Sequence, residues 1–346
     1  MSALIELRLR DQAHQFNSEP GERLLYAGLR NRLDLPYECA SGTCGTCKAR
    51  LVSGEIEDLW TEAPGRRYLG GTRELLLCQS AARGDCCIEV RARSQIPVPT
   101  FSPVFGEGVV RRARPLAPDV LAFSVDMGRT IDFEAGQFVC LEFPQARGYR
   151  SYSIVNFEHG CSRLDFVVKQ RAGGQLTPWL FRNEVDGSAV KWFGPLGRAI
   201  FRPDRPHDIL CIAGGTGIAG ILSILRSATE SGHFAHSSAN VFFGVRTQAD
   251  AFYLGELDGL AAGAQGALRI TVAFSEGDPD ERALAEYPHL QFGSGFVHEV
   301  AKNAMAGRYQ GVIAYLAGPQ PAVDASMRML LSARVPVQNM RFDKFT

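Results

Sequence analysis

The sequence carries no net charge, because 37 Lys and Arg residues balance 37 Asp and Glu. Without an overall positive field nothing draws nucleic acid or an anionic membrane to the chain, so any charged docking surface must be local. An apolar leader is missing too, since Met1-Ser2-Ala3-Leu4-Ile5-Glu6 meets a charge at once, and the expected location is the cytoplasm. Long hydrophobic runs are also scarce. The uncharged stretch from Ile209 to Leu225 barely reaches the roughly 17 residues that a membrane span needs, and four glycines interrupt it. A buried strand, a glycine turn and the start of a helix suit it better. No internal repeat or low-complexity segment is present.

What is present describes a multidomain globular chain. Hydrophobic residues at 45% and charged residues at 21% supply a sizeable core and exclude both a disordered chain and a disulfide miniprotein. At roughly 150 residues per domain, 346 residues make two or three domains. Glycine is abundant, at 36 residues, which implies tight turns or close approach of backbone to a ligand.

Ile5, Leu7 and Leu9 alternate with Glu6, Arg8 and Arg10 as a half-buried strand would, with a hairpin near Asp11 and Gln12. Leu25, Leu29 and Leu33 then form one helical stripe. A hairpin-like Ser53-Gly54-Glu55 turn and a last strand ending near Arg93 complete a small α+β domain over residues 1–93. Residues 94–108, with Pro97, Pro99 and Pro103, make a linker. Residues 109–204 alternate short β-type runs with turns, as an antiparallel barrel does. From 205 to 346 the strand-like runs Ile209–Ala213, Val241–Val245, Ile270–Phe274 and Val312–Ala317 are separated by helix-length segments, which predicts an α/β domain with a parallel sheet.

Nine cysteines in a reducing compartment point to metal binding rather than disulfides. Cys39-x4-Cys44-x2-Cys47 followed by Cys78 has the plant-type spacing for a [2Fe-2S] cluster. Two irons each need two thiolates beside the bridging sulfides, and one tight loop supplies only three. Ala40, Ser41, Gly42, Thr43, Gly45 and Thr46 are small, so backbone N–H groups can reach the sulfurs. Four cysteines would also suit zinc, and Cys44 with Cys47 a redox dithiol. Cys86, Cys87, Cys140, Cys161 and Cys211 lie among apolar neighbours and are assigned to packing.

Gly215-Thr216-Gly217-Ile218-Ala219-Gly220 fits G-x-G-x-x-G between a strand and a helix, the context for a dinucleotide pyrophosphate at a helix N-terminus. The acidic residue expected about twenty positions later is absent, because His236 is flanked by Ala235 and Ser237.

Arg150-Ser151-Tyr152-Ser153 resembles the Arg-x-Tyr-Ser motif of ferredoxin-reductase-like flavoproteins. Gly173-Gly174-Gln175-Leu176-Thr177 is similar to that family's second flavin motif, and Gly194-Pro195-Leu196-Gly197 to its third landmark. As plain structure these would be a hairpin turn and barrel residues. The resemblance implies a β-grasp ferredoxin domain, an antiparallel β-barrel binding FAD and a parallel-sheet nicotinamide domain. It makes Arg150 the partner of a pyrophosphate, Tyr152 a cover for the isoalloxazine and Ser153 the hydrogen-bond partner of the reactive flavin nitrogen. Ser151, Val168, Gly174, Gln175, Leu176 and Thr177 complete its flavin set, and Phe345, in the aromatic-ended tail, covers the flavin. Gly215, Thr216, Gly217, Gly318 and Pro319 would bind the nicotinamide nucleotide, with Ser153 and Thr216 the catalytic pair.

The resemblance also places the adenosine end at Gly244-Val245-Arg246-Thr247. Arg246 would suit a 2′-phosphate, yet an Arg here also accompanies NADH in oxygenase reductases, so NADH rather than NADPH is the expected donor. A solvated surface Arg is the plain reading. Two departures stand out: Ala317-Gly318-Pro319 replaces Cys-Gly-Pro, and Gly220 replaces Pro.

The order of modules resembles the reductase components of bacterial multicomponent oxygenases for toluene, benzoate or naphthalene. That implies electron flow from NADH through FAD and the cluster to an oxygenase component or a small ferredoxin-type carrier, by a monomer. A reductase for sugar deoxygenation, or a redox sensor without nicotinamide turnover, shares the modules. Glu55, Glu57, Asp58 and Glu62 would steer a basic partner, or make a solvated face.

Overall fold

The computed structural model describes residues 2–9, 12–91, 99–182, 185–280, 282 and 285–345. The first unit is a five-stranded sheet whose neighbours run Gln12–Ser18, Ala3–Leu9, Cys86–Val90, Lys48–Ser53, Glu74–Leu76. The strand Ala3–Leu9 pairs antiparallel with Gln12–Ser18 and parallel with Cys86–Val90. Its alternation buries Ile5 and Leu7 completely, as the side-chain period of two requires.

The helix Leu24–Arg30 packs on this sheet through Leu24, Leu25, Tyr26, Ala27 and Leu29. Leu33, expected on its stripe, lies beyond the end. Asn31 Nδ2 donates to the Ala27 carbonyl at 2.8 Å and Arg32 turns to a φ of 61°, which together stop the helix. The turn at Gly54 exists, with a φ of 90°, but it closes no hairpin. A Cβ there would lie 2.5 Å from the Asp85 carbonyl oxygen, so the turn packs against the last strand. Ile56–Asp58 pairs instead with Ser80–Ala82.

The second unit is a curled antiparallel sheet, ordered Ala146–Ser153, Phe138–Phe143, Ala189–Leu196, Val104–Ala117, Val120–Ile131, Cys161–Lys169. Phe123, Phe143, Phe166 and Trp192 fill its interior. The segment expected as linker is already strand from Val104 onward, because Val104 to Val109 pair with the strand Ala189–Leu196.

The third unit is a parallel six-stranded sheet, ordered Leu290–Ser294, Leu268–Phe274, Ala239–Val245, Ile209–Gly214, Ile313–Pro319, Met340–Phe345. Its main crossover helices are Ile218–Glu230, Leu254–Gly263, Val297–Ala304 and Gln320–Ser332. The Ile209–Leu225 run is the buried strand, glycine turn and helix start expected of it. Two strands were not foreseen, Leu290–Ser294 and Met340–Phe345. Both are sheet edges, which need no unbroken apolar run. Among the described residues no helix is long and apolar enough to cross a membrane.

The units share buried surface. Tyr26 stacks on Phe193 of the barrel at 4.1 Å, and Phe138, Cys140, Phe193 and Leu196 join the first unit's core. The Gly197 N–H donates to the Tyr37 hydroxyl at 3.1 Å, and Arg198 donates to the Leu35 carbonyl at 3.1 Å while pairing with Asp34. On the other side, Arg226 donates to the Val155 carbonyl at 2.8 Å and Ser223 to that of Asn156 at 3.1 Å. Because Tyr26 is fully buried, Tyr26→Ala should cost about 3–5 kcal/mol. A urea titration followed by fluorescence checks this, and an unchanged midpoint would contradict it.

Candidate functional site

The cysteine loop is shaped by backbone that only small residues tolerate. Ala40, Gly42 and Gly45 have φ values of 51°, 96° and 77°. A Cβ at Gly42 would lie 2.9 Å from Gln79, and one at Gly45 2.4 Å from the Tyr68 ring. The sulfurs fall into two pairs. Thr43 and Cys44 donate their N–H groups to Cys39 Sγ at 3.3 and 3.4 Å, and the Cys39 N–H reaches Cys44 Sγ at 3.5 Å. Cys47 and Cys78 sulfurs lie 3.2 Å apart, well beyond the ~2.05 Å of a disulfide, and all are free thiols.

Bonds from the Cys44 thiol, from Thr43 and from backbone N–H groups hold Cys39 well below the ordinary thiol range, against the effect of burial. Its neighbours shift the other way, because the bond to Cys39 and burial raise Cys44, and the contact with Cys47 and burial raise Cys78, so within this loop it is Cys39 that is held toward thiolate. Among the described residues no three such groups converge on one ion, whereas two pairs suit two irons. The remaining cysteines are packing residues. Burial pushes Cys86, Cys140 and Cys161 up to about 11, and Cys211 higher still.

The barrel sheet has Ala146–Ser153 and Cys161–Lys169 as its two edges. They are stitched at one end, where the Val155 N–H donates to the Asp165 carbonyl at 2.9 Å and Asn156 bridges Arg163 and Asp165. Toward Arg150 and Val168 the seam is left without such a stitch among the described residues, which suits a slot for a planar ring. Tyr152 stands in it, buried among Phe123 and Phe166, and burial pushes its phenol up to about 12. Arg150 spends one nitrogen, Nη1, on the carbonyls of Ala146, Arg147 and Gly148; Nε and Nη2 take no part in those bonds.

Val168 and Leu176 lie in the same buried cluster as Tyr152. Gln175 is exposed. Thr177 Oγ1 accepts from the Arg171 N–H at 2.9 Å, which fixes the turn through Gly173 and Gly174.

At the carboxyl end of the parallel sheet Gly215 has a φ of 52°. A Cβ on Gly217 would lie 2.3 Å from the Ala317 carbonyl oxygen, and one on Gly318 2.7 Å from that of Gly214. These glycines let two turns pack backbone against backbone. Gly220, where the family carries Pro, faces Ser153, and a Cβ there would lie 3.7 Å from that of Ser153. The strand Ala146–Ser153 and the first turn of the helix Ile218–Glu230 therefore meet at Ser153. Arg246 sits at the next strand tip, bound to Asp250 at 3.2 Å and 3.8 Å from Asp119.

Sequence reasoning missed Asp343. It lies opposite Ala317 in the last strand pair and accepts a hydrogen bond from Ser153 Oγ at 3.1 Å. Burial, aided by Glu38 and opposed by the Ser153 bond, pushes its carboxyl up to about 7. The tail residues were visible, but their pairing with Ile313–Pro319 was not, and that pairing leaves Asp343 half-buried. Lys344 beside it pairs with Asp324 at 3.0 Å. The Phe345 backbone pairs with Pro319; its side chain is outside the described residues. In the acidic stretch, Asp58 is neutralised by Arg66.

Three family models match the chain in order. They are a 2Fe-2S iron-sulfur cluster binding domain over residues 7–83, an oxidoreductase FAD-binding domain over 108–201 and an oxidoreductase NAD-binding domain over 211–327. The ferredoxin–NAD(P)(+) reductase CarAd of Metapseudomonas resinovorans is 34% identical over 329 residues, or 94% of this chain and 95% of its own. The chain belongs to the ferredoxin–NAD(P)+ reductase family.

The ferredoxin–NAD(+) reductase component of the Xanthobacter autotrophicus alkene monooxygenase system is also 34% identical, over 98% of this chain and 100% of its own. The solved "Ferredoxin reductase in carbazole 1,9a-dioxygenase" has a TM-score of 0.83 at 31% identity, covering 100% of this chain and 99% of that one. The reductase thus has the ferredoxin-reductase fold with an N-terminal cluster domain, and it takes a [2Fe-2S] cluster, FAD and a nicotinamide nucleotide. The iron–sulfur match and the paired sulfurs displace the zinc and dithiol alternatives.

Two predictions follow from this geometry. Cys78→Ser removes a ligand from one pair, so the purified variant should lose most of its iron and sulfide by colorimetric assay; full retention would contradict the assignment. For Asp343 the folded pKa of about 7 exceeds the ordinary 3.8, so its contribution to stability is present at acid pH and is lost as pH rises through 7. Asp343→Asn should therefore gain melting temperature relative to the parent between pH 4 and 8, measured by calorimetry.

Proposed function

We propose that this reductase takes electrons from NADH and delivers them one at a time to the oxygenase of a ring-oxidising system, or to a small carrier ahead of it. Its working units would span residues 1–93, 104–204 and 205–346, the barrel unit beginning with the strand at Val104, acting as a cytoplasmic monomer. One observation carries this reading. Within three residues of a single strand, Ser151 bonds the backbone carbonyl of the cluster ligand Cys39, and Ser153 meets both Gly220, in the first turn of the helix that follows the glycine turn, and Asp343.

A nicotinamide gives up a hydride, a [2Fe-2S] cluster takes one electron, and a flavin exchanges one or two, so the flavin belongs between them. Arg150 and the N–H groups of residues 174–177 would hold its pyrophosphate, and Tyr152 would flank its ring. Ser153 would hold a proton at the reacting nitrogen with Asp343 behind it as a half-buried reservoir. Gly215, Thr216 and Gly217 would cradle the nucleotide pyrophosphate, and Gly318 and Pro319 would flank its nicotinamide. The two carboxylates that hold Arg246 disfavour a 2′-phosphate, which supports NADH over NADPH.

Anaerobic NADH added to the purified protein should bleach both flavin and iron–sulfur absorbance. Flavin bleaching with an unreduced cluster would sink the relay, and no bleaching by either nucleotide would leave the sensor reading instead.

A further inference from the structure

The strand that lines the flavin slot makes a contact that its flavin role does not use. Ser151, expected in the flavin set, is instead turned away from the slot, in register with Cys140, because side chains alternate along the strand and its hydroxyl is taken by the cluster loop. Its hydroxyl donates to the carbonyl of Cys39, itself a cluster ligand, and lies 3.3 Å from Ser41 Oγ and 3.6 Å from Cys140 Sγ. The neighbouring carbonyl, that of Ala40, accepts from Tyr26 OH at 3.1 Å. Two successive carbonyls of the cluster loop, at Cys39 and at the left-handed Ala40, are thus held by hydroxyls. The Ser151 bond is the one that comes from another unit. A peptide in that strained conformation has no regular ladder to fix it, so a donor to its carbonyl sets where the Cys39 sulfur points.

We infer that Ser151 is a positioning residue for electron transfer between flavin and cluster. Through one hydrogen bond it fixes the cluster loop against the strand that carries Tyr152 and Ser153. This rests on the relay proposed above. In the step concerned, one electron passes from the reduced flavin to one ferric ion, which becomes ferrous, with no bond made or broken on Ser151.

The test uses the full-length holoprotein and the isosteric pair Ser151→Thr and Ser151→Val, with Ser151→Ala beside them. Rapid anaerobic mixing with NADH separates flavin bleaching from cluster bleaching, and deuterium exchange of amides 39–47 in the oxidised protein reports loop position without turnover. Val and Ala should slow cluster reduction relative to flavin reduction by about tenfold to a hundredfold and speed exchange at 39–47. Thr, which keeps the hydroxyl, should restore both. Equal slowing of both bleaching phases, or Val behaving like Thr, would overturn the assignment. A variant that yields no holoprotein is replaced in the comparison by the other hydroxyl-free one. If both fail to accumulate while Thr does, the hydroxyl is needed for assembly itself, and the role in transfer is rejected. If the parent's cluster stays oxidised under NADH, it is the relay that fails, not the role of Ser151.

Discussion

Everything in this molecule depends on one strand being shared. Ala146–Ser153 is an edge of the barrel sheet, and an edge strand has side chains on both faces and unpaired backbone on one flank. Here that liability is used. Its outer flank faces the unstitched seam, Ser151 bonds the cluster loop, and Ser153 faces the first turn of the helix Ile218–Glu230. Shifting this strand by one residue would exchange the faces of Ser151 and Tyr152. Its register is held by its pairing with Phe138–Phe143.

The burial around the strand makes the arrangement rigid. Tyr26 and Phe193 stack in a core belonging to two units at once, and aromatic pairs of this kind add about 0.5–1.5 kcal/mol beyond the area they bury. Arg198 is the polar counterpart. It is nearly buried, holds Asp34 and the Leu35 carbonyl, and lies over the Tyr37 ring at 5.5 Å. Removing a partner from a buried charge leaves it uncompensated, which costs more than the pair itself contributes. The interface therefore selects one orientation as well as adding stability.

The legible part of this fold was the part tied to covalent chemistry or to continuous burial. Cys39, Cys44, Cys47 and Cys78 must stand at a spacing that lets four sulfurs reach two irons, so their pattern survives in the chain itself. The central strands Ile209–Gly214 and Ala239–Val245 announced themselves through the apolar runs Ile209–Ala213 and Val241–Val245. Three things were hidden for a common reason, which is that each depends on distant partners. Leu33 looks helical until Asn31 caps the turn before it. Leu290–Ser294 is too mixed to read as a strand until Leu268–Phe274 pairs with it. Asp343 looks like a solvent carboxylate until the last strand lies down beside Ala317. Ser151 was visible as a motif residue, but the partner of its hydroxyl lies 112 positions away.

The fusion of the first core with the barrel has a consequence for how electrons leave. A ferredoxin unit packed through Tyr26, Tyr37 and Asp34 shares its core with the barrel and does not hang on a tether. The flank of its cysteine loop near Thr43 and Thr46 remains partly open to solvent, with the exposed ring of Tyr68 against Gly45. That exposed flank is where an acceptor would have to meet the cluster loop, since the opposite side of the unit is spent on the barrel.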